Sequence, residues 1–417
     1  MSYTVIARLL FVLTPMLPCA VLATEPPTAS DADVTIRAEP VIPAKPIVTR
    51  AQLDAYLHDT PAASSPLSWL TPGAQRRFLD SMVFGEHGLG GMSLDDLSYE
   101  LTREQAYDLL RLFGAQSYAI DLDARSTPRP AGDDKQVSTL ESRYDQLIAA
   151  ADQGDDNATH TQNLKHIYTE QFAPFQTDAQ RHVLSDRDVE FLFRAATTLA
   201  FRITSQPDYL ADMRSDFAEL AHRHRIDRPH AGNLYNALIT AHHVDEARAL
   251  RAAYPLVERS PAPVMRSSTR IRDGQPSLWI VTPGARKREL VRFRFNIRTP
   301  AQVVVLASTG CHFSQNAARD IEADLQLREV FRDYAQWVAP ASEVTAFDAV
   351  QAWNQAHPTL RLGIAYDDAT LPMVERFDTP TFYFLSHGRI IDKVIGWPEG
   401  GNLEAIRRGL RKIDLMR

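Results

Sequence analysis

The amino-acid sequence predicts an all-α domain followed by an α/β domain with α/β/α layers around a central mixed sheet. Three observations carry that reading. Apolar residues recur at helical spacing from Pro72 to Tyr254. Near Pro261 the pattern changes to short β-rich runs that alternate with helical ones. The 417 residues, 44% hydrophobic and 23% charged, hold enough apolar material for two or three cores.

Composition also excludes several classes. A net charge of −7 argues against a general nucleic-acid binder, which needs excess Lys and Arg to displace phosphate counterions. The two cysteines, Cys19 and Cys311, exclude a disulfide framework and a Cys-rich metal centre. Neither a cofactor nor a metal is expected. At the start, Met1–Arg8 carries one positive charge, Leu9–Leu17 is apolar, and Val21 and Ala23 are small residues of the kind a signal peptidase reads. Residues 1–23 are therefore expected to be a signal peptide, and the protein periplasmic or otherwise exported. The apolar run is short and broken by Pro15 and Pro18, so no integral membrane span is expected after its removal. Met16, Leu17 and Pro18 do not form the lipobox that would make Cys19 a lipidation site. The mature chain would keep only Cys311, in a compartment where disulfides form.

Residues 24–66, with Pro26, Pro27, Pro40, Pro43 and Pro46, read as an extended linker. Residues 67–260 read as an all-helical domain. Thr71 can cap a helix that opens at Pro72 and runs through Phe84 to Gly85, and Ser93 can cap a short second one. Thr102 and Gln105 form a capping-box pattern ahead of an apolar stripe that Gly114 ends. A loop covers 126–134. Helical spacing then resumes through Leu140–Ile148, Leu164–Phe172, Val189–Leu199, Tyr209–Arg223 and Gly232–His242. Asn233–Tyr254 is similar to one hairpin of a tetratricopeptide-type repeat, though no fixed period recurs.

Residues 261–417 read as the α/β domain. Leu278–Val281 and Leu290–Ile297 suggest a hairpin, with Val291, Phe293, Phe295 and Ile297 alternating against Arg292, Arg294 and Asn296. Val303–Leu306 suits a strand buried on both faces. Then come an expected helix at 315–338, a strand at Val344–Phe347, a helix to His357, a strand at Leu360–Tyr366 and a helix to Phe377. Strands at Phe382–Leu385 and Ile390–Ile395 meet at His387-Gly388, and a helix from Leu403 closes the chain.

The chemistry-bearing segment is Cys311-His312-Phe313-Ser314, where the buried strand gives way to a helix. Asp378-Thr379-Pro380-Thr381 later leads into another strand. A cysteine at a helix start faces unpaired N–H groups and the positive dipole end, which stabilise thiolate below the ordinary value of about 8.5; a protonated His312 would add to that. This arrangement resembles the thioredoxin fold over roughly residues 275–417. The extra strand and helix between the cysteine helix and the Thr-Pro segment make it most similar to envelope thiol-disulfide oxidoreductases of the TlpA/ResA type. The resemblance implies a thioredoxin-like C-terminal domain with a cis Pro380 lying against Cys311. It also implies a catalytic segment of Cys311, His312 and Ser314, and substrate contacts from Phe313, Thr379 and Pro380.

The departures matter equally. Ser314 stands where a dithiol enzyme carries its second cysteine, Gly310 where an aromatic residue usually precedes the first, and residues 303–308 offer no buried carboxylate. The expected function is therefore monothiol exchange or mixed-disulfide capture. The expected partners are protein clients with thiols or disulfides, or an external low-molecular-weight thiol. The alternative is a non-catalytic binding module on a helical scaffold, with Cys311 an inert buried residue. The pattern PxxxTxxC of a peroxidatic cysteine is absent, since positions 304 and 308 are Val and Ser.

Weaker signals have plainer explanations. His222, His224, His230, His242 and His243 lack accompanying ligands. The Gly85–Gly91 segment follows a helix, with no P-loop lysine, and reads as a connector. The nine Lys or Arg against two acids in Arg266–Arg298 suit an anionic partner or edge-strand protection.

Overall fold

A computed structural model describes residues 40–417 except 86–87, 121, 130–137, 153–157, 204–206, 256, 258–259, 268–269, 273, 283–287 and 375–377. Pro40–Arg417 forms one compact unit. The expected signal peptide and residues 24–39 of the expected linker lie outside the described residues.

Hydroxyl N-caps set the first helices. Helix α1 (Arg50–Asp59) begins where the Thr49 side chain accepts from the Gln52 N–H, and it buries Leu53. It corrects the reading of 24–66 as extended throughout: no proline interrupts the stretch between Pro46 and Pro61, so a capped helix can form. Thr71 caps α2 (Pro72–Asp80), which stops short of the expected Phe84. The Ser81 hydroxyl donates to Phe78 O and accepts from Ser93 N, and β1 (Val83–Gly85) pairs antiparallel with β2 (Gly88–Gly91). The Gly-rich segment therefore contains a strand. Helix α3 (Asp95–Glu100) follows, and α4 (Arg103–Arg111) carries the Thr102–Gln105 capping box. The helical part continues through α5 (Glu141–Asp152), α6 (Ala158–Gln171), α7 (Asp178–Val183), α8 (Asp186–Arg202), α9 (Pro207–His222), α10 (Arg228–Thr240) and α11 (Val244–Ala253).

Buried ions tie these helices together. Arg194 of α8 is 1% exposed and donates to Asp95 Oδ2 and Asp96 Oδ1, each at 2.7 Å, with its guanidinium 4.6 Å from the centroids of Tyr99 and Tyr144. Arg77 grips the same Asp96 with two nitrogens and reaches Asp145 at 2.7 Å, so α2, α3, α5 and α8 share one network. Such pairing is what permits charges in a low-dielectric interior.

After α11 come β3 (Val264–Arg266), β4 (Ser277–Val281), β5 (Glu289–Arg294) and β6 (Gln302–Leu306), then α12 (His312–Ala323), α13 (Leu325–Tyr334) and β7 (Ala335–Ala339). The chain ends with α14 (Phe347–Ala356), β8 (Leu362–Ala365), β9 (Thr381–Ser386), β10 (Arg389–Ile395) and α15 (Leu403–Lys412). All but the first hairpin join one sheet of order β10-β9-β6-β7-β8-β4-β5-β3. Strands β6, β7 and β8 run parallel, while β9 is antiparallel to β6 and β10 to β9. The residues Val303–Leu306 are fully buried between β7 and β9. The chain is thus a helical region packed with an α/β region on a mixed sheet. One core runs from Leu192, Phe193 and Leu238 through Trp279 to Val305 and Phe382, across the expected boundary at 260.

Four local expectations need correction. The single helix at 315–338 is two helices and a strand, because Asp324 accepts from Gln326 N and Leu327 N and so starts α13 anew; Trp337 and Val338 belong to β7. The strand expected at Val344–Phe347 is a 3-10 turn over Ala341–Ala346, since β7 has already filled the place beside β6. Past β8 the described residues form only a 3-10 turn, Asp368–Thr370, where a helix was expected. On β5 the alternation is inverted, with Arg292 4% and Phe293 54% exposed. Arg292 is accommodated by donating to Ser277 Oγ at 2.9 Å and lying 3.3 Å from the Tyr366 ring centroid.

Two glycines are required by geometry. His387 and Gly388, with φ of 50° and 80°, make the two-residue turn between β9 and β10. Gly409 of α15 lies so close to Phe384 that a Cβ would stand 2.5 Å from the ring.

Candidate functional site

The site forms at the C-terminal ends of β6 and β7 and the start of β9. Strand β6 ends at Leu306, the chain crosses Ala307–Gly310, and Cys311 is the N-cap of α12 with φ −93° and ψ 110°. Its N–H donates to Ser308 O at 3.2 Å. Opposite, the Thr379–Pro380 bond is cis, and Cys311 Sγ donates to Thr379 O at 3.2 Å. Pro380 is buried, and its carbonyl accepts from Gly396 N at 2.8 Å.

Burial pushes the half-buried Cys311 thiol up, yet the net direction is down. The Thr379 side chain, then Ser314 and the Phe313 backbone, more than offset that rise electrostatically and favour thiolate. Phe313 and Ser314 act from the first turn of α12, whose N–H groups lack intrahelical partners, and Thr379 acts from the segment opposite.

The other expected site residues separate into two groups. Ser314 is fully buried under the cysteine, where its hydroxyl accepts from Ser308 N at 3.4 Å. Thr379 faces the sulfur. His312 and Phe313 point the other way: both are exposed, their ring centroids 3.8 Å apart. An apolar ring that remains exposed beside the cysteine is available to a partner.

Sequence reading missed Glu343. Residues 303–308 indeed carry no carboxylate, but the 3-10 turn after β7 brings one to the loop, 9% exposed. Glu343 Oε1 accepts from Ser308 Oγ at 2.5 Å and Thr309 N at 3.1 Å, and Oε2 accepts from Thr309 Oγ1 at 2.7 Å. The signal lay in Pro340-Ala-Ser-Glu, a helical-turn start with an acid in its first turn, which the strand assignment obscured.

The weaker signals are absorbed by the fold. His230 is buried, its Nδ1 accepts from Asp227 N, and burial pushes it down to about 3. His242 stacks on Tyr366. Arg266 pairs with Glu289 and Arg288 with Asp348. Among the described residues no group of three or more His, Cys, Asp or Glu is placed to hold a metal ion, and no helix is long and apolar enough to cross a membrane.

No protein family, curated protein or solved structure gives a significant match to this chain.

Proposed function

We propose that the chain is an exported thioredoxin-like protein in which Cys311 exchanges with client thiols or disulfides. The observation that carries this reading is geometric: Cys311 is the N-cap of α12, half-buried, with its sulfur 3.2 Å from Thr379 O of the segment that precedes β9. The strand order β10-β9-β6-β7-β8 supports it, with the cysteine following β6 and the Thr-Pro segment preceding β9. Export rests on the character of residues 1–23.

The step is an exchange. Cys311 thiolate attacks one sulfur of a client disulfide, a Cys311–client disulfide forms, and the client's other sulfur leaves as thiolate. An external low-molecular-weight thiol then attacks the client sulfur, forms a disulfide with the client and releases Cys311 as thiolate. The Ser314 hydroxyl performs no such release, so the covalent complex should be long-lived. The helical region would supply client selection.

The test is capture of partners in an oxidising extract. Wild type should give reductant-sensitive covalent complexes, Cys311→Ser none, and Ser314→Cys complexes that resolve quickly because a thiol one helical turn away acts at high effective concentration. Recovery of the same partners by Cys311→Ser, with no disulfide-linked species from wild type, would replace the exchange reading with a binding module.

A further inference from the structure

The cysteine loop is held by a side chain remote in sequence. Glu343 receives three donors from Ser308 and Thr309, and the same loop is braced by Gly310 N to Ser308 Oγ at 3.3 Å, Gln315 Nε2 to Thr309 O at 2.9 Å and Cys311 N to Ser308 O at 3.2 Å. We propose that Glu343 is the positioning residue of the site, locking Ser308-Thr309-Gly310 so that the Cys311 sulfur is held at the start of α12 and against Thr379 O. This inference rests on the exchange reading of Cys311.

The geometry separates positioning from proton acceptance. Both Glu343 oxygens are engaged by donors of the loop, and each of those donors precedes the cysteine. A carboxylate held this way acts on the thiol through the backbone. Its negative charge alone would oppose thiolate, because like charges in a low-dielectric site disfavour one another. Position and charge therefore predict opposite responses to substitution. Glutamine keeps an acceptor for Ser308 Oγ and Thr309 N, and the Thr309 hydroxyl can rotate to accept from its amide. Alanine removes all three Glu343 contacts and leaves the loop only its other braces.

The experiment is iodoacetamide alkylation of the full chain across pH, read at the Cys311 peptide by mass, with thermal melting to verify folding. Glu343→Ala should raise the alkylation midpoint by about one pH unit and slow labelling at pH 7 about tenfold. Glu343→Gln should leave the midpoint at the wild-type value or below it. Thr309→Val and Ser308→Ala, each removing one donor, should give shifts of about threefold in rate and stand in if Glu343→Ala fails to fold. The proposal is overturned if Glu343→Gln shifts the midpoint upward as far as Glu343→Ala, or if the folded variants all label like wild type. A wild-type midpoint at the ordinary thiol value would overturn the exchange reading instead, and the differences among variants would still judge Glu343.

Discussion

Asp216 should make the helical region pH-sensitive. It lies on α9 with no exposed surface. Its Oδ2 accepts from Gln176 Nε2 at 3.0 Å, and the Arg181 guanidinium stands 3.8 Å from Oδ1. Burial pushes its carboxyl up to about 8; Gln176 and Arg181 pull it back only in part, and nearby Asp212 adds to the rise. The unfolded chain loses this proton near the ordinary 3.8. Between those values the folded state binds more protons than the unfolded one, so stability is full below 3.8 and is lost as pH rises toward 8. At pH 7 roughly three units of the window have been crossed, a loss of about 4 kcal/mol at ~1.4 kcal/mol per unit. Asp216→Asn removes the titration and keeps an acceptor for Gln176. Urea unfolding from pH 5 to 8 should show the variant gaining on wild type by about 1.4 kcal/mol per pH unit. A difference that stays constant with pH would refute the reasoning, because Asp216 would then titrate alike in both states.

Two further substitutions test the packing. Asp96→Ala strips Arg77 and Arg194 of a shared carboxylate inside the core and should cost about 3–5 kcal/mol in urea unfolding, whereas a loss under about 1 kcal/mol would mean that Asp95 and Asp145 suffice. Gly409→Ala gains about 1 kcal/mol of helix propensity but drives a methyl into the Phe384 ring, an overpacking cost of about 1–3 kcal/mol, so the melting temperature should fall; a rise would refute the close approach.

Most of this fold could be read from short-range pattern. The Thr71 and Thr102 caps, the buried run Val303–Leu306 and the His387-Gly388 turn each encode their element within a few residues. The errors arose where an element depends on a distant neighbour. Gln336–Ala339 has helical neighbours before it and becomes a strand because β6 and β8 offer ladders on either side. Arg292 reads as solvent-facing and is buried because Tyr366, the residue after β8, covers it. Helix α1 was hidden by prolines that flank it on both sides.

The candidate site divides along the same line. Cys311 was visible because the strand, loop and helix start that place it lie within a dozen residues, although Thr379, which also favours its thiolate, comes from 68 residues on. Glu343 was not, because its meeting with Ser308 and Thr309 is a property of register. Strands β6 and β7 run parallel with Leu306 opposite Val338, so their exits lie side by side. The first exit leads to the cysteine and the second to the turn that bears Glu343. Connections leaving the C-terminal edge of parallel strands are where open α/β sheets assemble sites. Here that edge also receives Thr379, two residues before β9, which is antiparallel to β6 on its other side. A carboxylate, a thiol and a backbone carbonyl from three separate segments are brought to one edge by strand order, and a shift of register in either ladder would part them.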